Sequence, residues 1–333
     1  MSVKQLPVGH PLSSPELANH ALLYMWRIRK FEEAVEELFG RGMMHGTMHL
    51  SIGQEASPTG VCMALSIKDQ ITSTHRGHGH CIAKGADLTR MIAELLGKKI
   101  GYCGGRGGSM HIADVETGNL GANGVVAGGI PIAAGAALAS KMMRTGTVVV
   151  SFFGDGAMNE GAFHEAANLA AIWRLPMILF CENNRYGMSS STAKAFAIDN
   201  LADRSKGYGI PGINVDGNDV VAVYEVAHAA VSRAKSGQGP TLIVADTYRW
   251  KGHSRSDKNL YRTKEEIEQW RAKDPIPRFI TSSLKAGLLT QEQCDAIQRE
   301  ATAAVKSAVN ESLRAEPADP LHLLEAVFKV NTP

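Results

Sequence analysis

With 333 residues, 44% of them apolar and 20% charged, the chain has the make-up of a globular protein with ample material for a core. A net charge of +2 gives no electrostatic basis for gripping nucleic acid or an anionic membrane. No apolar run is long enough to span a bilayer, Met1 to Pro15 lacks the pattern of a signal peptide, and Cys62, Cys81, Cys103, Cys181 and Cys294 form no C-x-x-C pair, so a reducing cytoplasm is the expected setting.

Residues 1–13 are polar and proline-punctuated and read as a flexible arm; a single domain over 14–330 follows, since no linker divides the remainder. Ser14-Pro15 starts a helix, with Ser as the cap and Pro in the first helical position. Leu17, Ala21, Tyr24, Met25, Ile28, Phe31, Val35, Leu38 and Phe39 form one apolar stripe along it, and Gly40 and Gly42 end it. Gly97 to Gly129 is dense in glycine but carries specific apolar and basic residues, which predicts an ordered loop with backbone close to a ligand or partner. A small-residue helix over Pro131 to Met143 is expected next.

Thr147 to Phe153 then reads as a strand closed by Gly154-Asp155-Gly156. Glu160 to Trp173 reads as an alanine-rich helix stopped by Pro176, and Met177 to Cys181 as a second strand closed by Asn183-Asn184. Ile213–Val215, a helix from Asp219 to Lys235, and Thr241–Tyr248 continue the alternation. The tail is helical, with capping boxes at Thr263/Glu266 and Thr290/Gln293 and a stripe of Ile297, Ala301, Ala304, Ala308 and Leu313. The fold class is α/β: a doubly wound, mostly parallel sheet flanked by helices, with helical N- and C-terminal additions.

Strand, helix and strand at this length make a βαβ crossover, so the two strands are parallel and their carboxyl ends share one sheet edge, where open α/β folds bind ligands. Asp155, the Asn184 side chain and a carbonyl from the turn after Asn184 could surround one hard cation. Few protein oxygens with a phosphate supplying the rest suits magnesium. A dinucleotide fold is the competing reading, but it wants G-x-G-x-x-G at the first strand–helix turn, and here Asn159 stands where the third glycine would be. His75, His78 and His80 have a spacing that could hold zinc, but only the adjacent Cys81 could complete four ligands, in poor geometry.

Further blocks extend the pattern: His49-Leu-Ser-Ile-Gly-Gln-Glu55, Thr74-His-Arg-Gly-His78, Gly104 to His111, Gly121-Ala-Asn-Gly-Val-Val126 and Tyr248 to Asp257. In this order, around the central motif, they resemble the alpha subunit of the thiamine-diphosphate-dependent, decarboxylating first component of 2-oxo acid dehydrogenase complexes, of pyruvate and acetoin type. The resemblance implies that Asp155, Asn184 and the Tyr186 carbonyl bind magnesium. It implies that Gly154, Gly156, Ala157, His75, Arg76 and His253 hold the diphosphate, and that Gly124 and Val126 meet the aminopyrimidine. Gly156 and Ala157 are expected at the helix start, where backbone N–H groups meet anions. His253 is expected to act catalytically, and His49 and His78 to lie near the substrate path; His111 and His164 are expected to be structural or superficial. Ser254 and Ser256 resemble a loop that is phosphorylated in some relatives.

The same resemblance implies a separate beta subunit that supplies the pyrimidine-side glutamate in an α2β2 tetramer. It also implies transfer of the acyl group to a lipoyl domain, and a 2-oxo acid or acetoin as substrate. The Gly252-His253-Ser254 loop leans toward the pyruvate type, while Trp250-Lys251 departs from it. A split transketolase half and a non-catalytic binding subunit are the alternatives. The first lacks a reason for the Gly-His-Ser loop and the Gln54-Glu55 block, and the second would be expected to have lost Asp155 or Asn184.

Overall fold

The computed structural model describes residues 8–254 and 256–322. Residues 1–7 of the expected arm and 323–330 of the expected domain lie outside the described residues. The rest of the arm is tied down: the Gly9 N–H donates to the Met63 carbonyl at 3.1 Å, and Leu12 packs on the core.

The first helix, α1 (Pro15–Gly40), begins as the sequence predicts, with the Ser14 side chain accepting from the Leu17 N–H. Then come α2 (Ala56–Met63), β1 (Gln70–Thr72), α3 (His78–Lys84) and α4 (Leu88–Leu95). The glycine-dense loop leads into α5 (Gly129–Met143) and β2 (Val149–Gly154), followed by α6 (Gly161–Ile172) and β3 (Met177–Asn183). A two-residue hairpin, β4 (Tyr186–Gly187) with β5 (Ser190–Ser191), precedes the short α7 (Thr192–Ala195). The chain closes with β6 (Gly212–Asp216), α8 (Val220–Lys235), β7 (Thr241–Asp246), α9 (Lys264–Arg271), α10 (Pro275–Lys285) and α11 (Gln291–Arg314).

Five strands form one parallel sheet in the order β1-β2-β3-β7-β6. Alternate residues divide the core. Val150, Phe152, Ile178, Phe180, Ile243 and Ala245 face the layer holding α1, α2, α8 and α10, whereas Val149, Phe153, Leu179, Cys181, Leu242 and Val244 face α5 and α6. Both faces being covered, the central strands read as unbroken apolar runs. Each large side chain buried there contributes about 1.5–3 kcal/mol. No helix among the described residues is long and apolar enough to cross a membrane.

Two expectations about the tail need correction. Thr263 does cap α9, accepting from the Glu266 N–H, but Glu266 does not close the box. Its carboxylate instead accepts from the Tyr186 and Tyr248 hydroxyls at 2.8–3.0 Å, which ties α9 to the sheet edge. Thr290/Gln293 does form the full box. Leu313 leaves the α11 stripe: Cys294, Ile297, Ala301, Val305, Ala308 and Ser312 are the buried face. The step of five from Ala308 turns Leu313 well off that line, whereas the step of four keeps Ser312 on it.

Candidate active site

Four of the segments that reach the cleft leave the carboxyl ends of strands. His75 and Arg76 follow β1, Asp155 follows β2, Asn184 and Tyr186 follow β3, and His253 follows β7. Parallel pairing, with Gly154 opposite Glu182 and Asn183 opposite Asp246, brings these ends to one edge. They line a cleft of about 270 Å³ together with Val125, Val126, Ala127, Gly154, Gly156 and Ala157.

Asp155 is 2% exposed, and its Oδ2 is buried without a hydrogen-bond partner. Burial pushes its carboxyl up to about 6, against the opposing pull of the Gly156 amide and the Arg249 charge. A carboxylate held in that way favours a cation beside it. Asn184 stands next to it at the cleft wall, its Oδ1 accepting from the Tyr186 N–H at 3.4 Å. Asn183 turns away: its amide donates to Asp246 at 2.8 Å, so the two asparagines divide into one structural and one cleft-facing residue. The backbone is tight here, since a Cβ on Gly187 would meet the Gly156 Cα at 3.4 Å. Ala127, Arg185 and Met188 hold φ of 63°, 75° and 52°, a left-handed conformation that non-glycine residues adopt at a cost and that clusters at functional sites. Gly156 and Ala157 do not begin the crossover helix as expected. They lie in a 3₁₀ turn, Asp155–Asn159, and α6 starts only at Gly161.

The cleft also carries a cationic and aromatic group of residues. Arg76 is buried, donating to the Leu50 carbonyl and, at 3.0 Å, to the His253 carbonyl; burial, then the Arg249 charge, brings its guanidinium down to about 10. The His49 Nδ1 lies 2.8 Å from that same His253 oxygen, so His49 stands behind His253 and touches both His75 and His253 ring to ring. Burial, then the Arg76 charge, pushes His75 down to about 2 and His253 to about 4, so both imidazoles are neutral. The 253 loop is pinned by Asp257, whose Oδ2 accepts from the His253 N–H at 2.6 Å and the Tyr261 hydroxyl at 2.7 Å.

Three residues chosen from the sequence fall outside the cleft lining: His78, Gly124 and His49, which stands behind His253. His78 is fully buried, its Nδ1 3.1 Å from Glu32 and its Nε2 2.9 Å from Ser109, so it braces α1 against the glycine-dense loop. Gly124 sits one residue back from the lining, its Cα direction facing His111. The zinc spacing does not assemble either. His80 is held by Ser73 at 2.7 Å and Glu182 at 3.2 Å, away from His75. His111 and His164 are exposed. Sequence reasoning missed Arg249, which is fully buried and donates to the Met188 carbonyl. A buried arginine immediately before the Trp250-Lys251-Gly252-His253 loop carried no local signal of its burial.

The chain matches the dehydrogenase E1 component family over residues 24–321. It is 52% identical over 262 residues to the alpha subunit of acetoin:2,6-dichlorophenolindophenol oxidoreductase from Bacillus subtilis (strain 168), covering 78% of this chain and 79% of that protein. The protein of the same description from Cupriavidus necator is 45% identical over 317 residues, 94% and 95% of the two chains. The pyruvate dehydrogenase E1 component subunit alpha of Porphyra purpurea is 40% identical over 293 residues, 85% of each. Whole-chain similarity thus runs against the pyruvate leaning of the His253-Ser254 loop. The chain belongs to the dehydrogenase E1 component family, as an alpha subunit of its thiamine-diphosphate-dependent 2-oxo acid and acetoin dehydrogenases.

Proposed function

We propose that this chain is the alpha subunit of an acetoin-cleaving thiamine-diphosphate enzyme, with Asp155, Asn184 and the Tyr186 carbonyl holding the magnesium that anchors the diphosphate. The observation that carries the site is the unpartnered, buried Asp155 oxygen beside Asn184, in a cleft that Arg76 and two neutral imidazoles also line. The Asp155–Asn184 pair suits a hard cation, and Arg76 with the imidazoles suits an oxyanion. The higher identity to the two acetoin relatives supports acetoin over pyruvate.

Thiamine diphosphate, when bound, supplies the carbanion that adds to the substrate carbonyl carbon. This chain's residues have other tasks. Gly154 and Gly156 would let the diphosphate approach the backbone, Arg76 would balance its charge, and Val125 and Val126 line the cleft before the left-handed Ala127. His253 at the cleft wall can donate a hydrogen bond or hand on a proton. Glu182 also lines the cleft, but it is tied to His80 at 3.2 Å; the pyrimidine-side carboxylate is assigned to a beta subunit. An apolar face supports that partner: Ile132, Met142, Met143, Ile172 and Trp173 on and after α5 and α6 are 43–74% exposed. Val125 and Val126 at the mouth are 71% and 48% exposed, so the second half of the site would be roofed from outside in an α2β2 tetramer. A lipoyl domain is the expected acyl acceptor.

The test is to assemble the chain with its beta partner, magnesium and thiamine diphosphate, and to assay acetoin, pyruvate and branched 2-oxo acids with an artificial electron acceptor. Acetoin should give the highest kcat/KM, at least about tenfold over pyruvate, which is a transition-state difference of about 1.4 kcal/mol. The chain alone should be inactive. Pyruvate preference would overturn the substrate assignment, and full turnover without a partner would overturn the shared site.

A further inference from the structure

Three imidazoles drawn from segments up to 204 positions apart meet at the cleft. Each of His49, His75 and His253 offers a ring nitrogen, and these atoms all lie within 4.8 Å of one another. The tautomer of His49 is determined by its neighbour. A backbone carbonyl only accepts, so the Nδ1 that lies 2.8 Å from the His253 oxygen carries the proton and Nε2 keeps its lone pair. An imidazole N–H donated to a backbone carbonyl is also the usual support behind a metal-bound histidine. His75 and His253 make no ring hydrogen bond among the described residues, and both line the cleft.

We propose that His49, His75 and His253 form a binding site for a borderline divalent transition metal of the zinc class, with the fourth position open to the cleft. Nitrogen ligands sit about 2.0–2.1 Å from tetrahedral zinc, hence about 3.4 Å from each other. The nitrogens, all within 4.8 Å of one another, must therefore draw together as a metal binds. Burial keeps the three imidazoles in the deprotonated form that a metal requires. The nearby Arg76 and Arg249 charges oppose a bare dication, so the fourth ligand is an anion such as chloride, hydroxide or a phosphate oxygen. Magnesium does not take this site, because it prefers oxygen ligands. The cleft therefore offers two metals two different chemistries: oxygen at Asp155 and nitrogen at the histidines. If the proposed cofactor site is correct, on which this last step rests, a metal drawing in His75 and His253 competes with the diphosphate.

Cobalt(II), added alone to the cofactor-free full chain, reports the site directly. One equivalent should produce the strong visible absorption of tetrahedral nitrogen ligation, and zinc should bleach it. His75→Phe, which keeps a ring against His49, should remove the band and weaken cobalt binding at least about tenfold, since even losing a supporting hydrogen bond behind a ligand costs that much. His75→Cys should keep tight binding and add a thiolate-to-metal charge-transfer band, which separates lost ligation from lost folding. No one-equivalent band in the native chain, or a band unchanged in a His75→Phe protein with native circular dichroism, overturns the site. Magnesium and thiamine diphosphate titrated into the cobalt-loaded complex with the beta partner should bleach the band. A band that persists while calorimetry shows the cofactor bound overturns the competition. Cofactor that does not bind even to the metal-free complex overturns the cofactor site and leaves the metal site standing.

Discussion

Asp155→Asn is expected to abolish magnesium-dependent binding of thiamine diphosphate and, at the same time, to make the cofactor-free chain more stable. The side chain is the one carboxylate at the proposed cation position, and its Oδ2 has no partner. Removing it costs at least about 3 kcal/mol of charge pairing, or more than about a hundredfold in affinity. Without the cation, however, the carboxylate is a burden. Its folded-state value is raised from 3.8 to about 6, so the native state holds a proton that the unfolded chain has released. Stability therefore falls as pH rises from about 4 to about 6, and the full penalty of about 2–3 kcal/mol stands above that range. Asparagine carries no such penalty. Urea unfolding at pH 7.5 should show the variant about 1–2 kcal/mol more stable, with the gain shrinking toward pH 4. Isothermal titration with magnesium and thiamine diphosphate supplies the second reading. Tight binding that survives in Asp155→Asn would sink the magnesium assignment, whichever way the stability moves.

The contrast between Asp155 and its surroundings shows which parts of this site can be read from sequence. The strand–turn–helix–strand pattern around Gly154-Asp155-Gly156 and Asn183-Asn184 is local, and parallel crossover geometry converts it into a shared sheet edge. The same holds for α1, whose stripe and Ser14-Pro15 start are written in consecutive residues. Contacts between distant polar residues leave no such trace. Arg29 and Glu32 each lie one turn after an apolar residue of the α1 stripe, Met25 and Ile28, where their charge alone argues for solvent, yet both are buried. Arg29 bonds Glu55 at 2.5 Å and Asp274 at 3.1 Å, and Glu32 meets His78 and Ser51. Charge makes such residues look exposed until their partners are known. His78 illustrates the reverse error: it lies in a family-like block beside Arg76, but α3 turns its ring away from the cleft. Neighbours in a motif share a segment, and the helix then decides which of them share a site.

Glu94→Gln should have the largest effect on the fold itself, and it lies in another residue with no sequence signature. Glu94 is the penultimate residue of α4 and is 1% exposed. Its Oε2 accepts from the Cys103 and Gly105 amides at 2.7 and 2.9 Å, and its Oε1 from the Gly107 and Gly108 amides at 2.7 and 3.0 Å. Four backbone donors thus wrap one carboxylate, which explains the glycine density. A Cβ at Gly101 would meet Glu94 Oε2 at 2.4 Å, and Gly105 needs φ of 76° with a backbone carbon 2.5 Å from where its Cβ would be. Glutamine is nearly the same size, but its NH2 would point at two N–H donors. A buried donor left unsatisfied costs about 1–3 kcal/mol, and these two are part-buried, so a loss of roughly 1–4 kcal/mol is expected. The damage should spread in a defined direction. Gly107 and Gly108 precede Ser109, which bonds His78, and the chain then runs through Gly121 to the Val125–Ala127 wall of the cleft. Hydrogen exchange should show protection lost over residues 97–109, with α5 and the central strands retained. Thiamine diphosphate should bind more weakly even though no residue touching it has changed. Unaltered protection of that loop in Glu94→Gln would mean that its glycines, rather than the carboxylate they surround, hold the loop's shape.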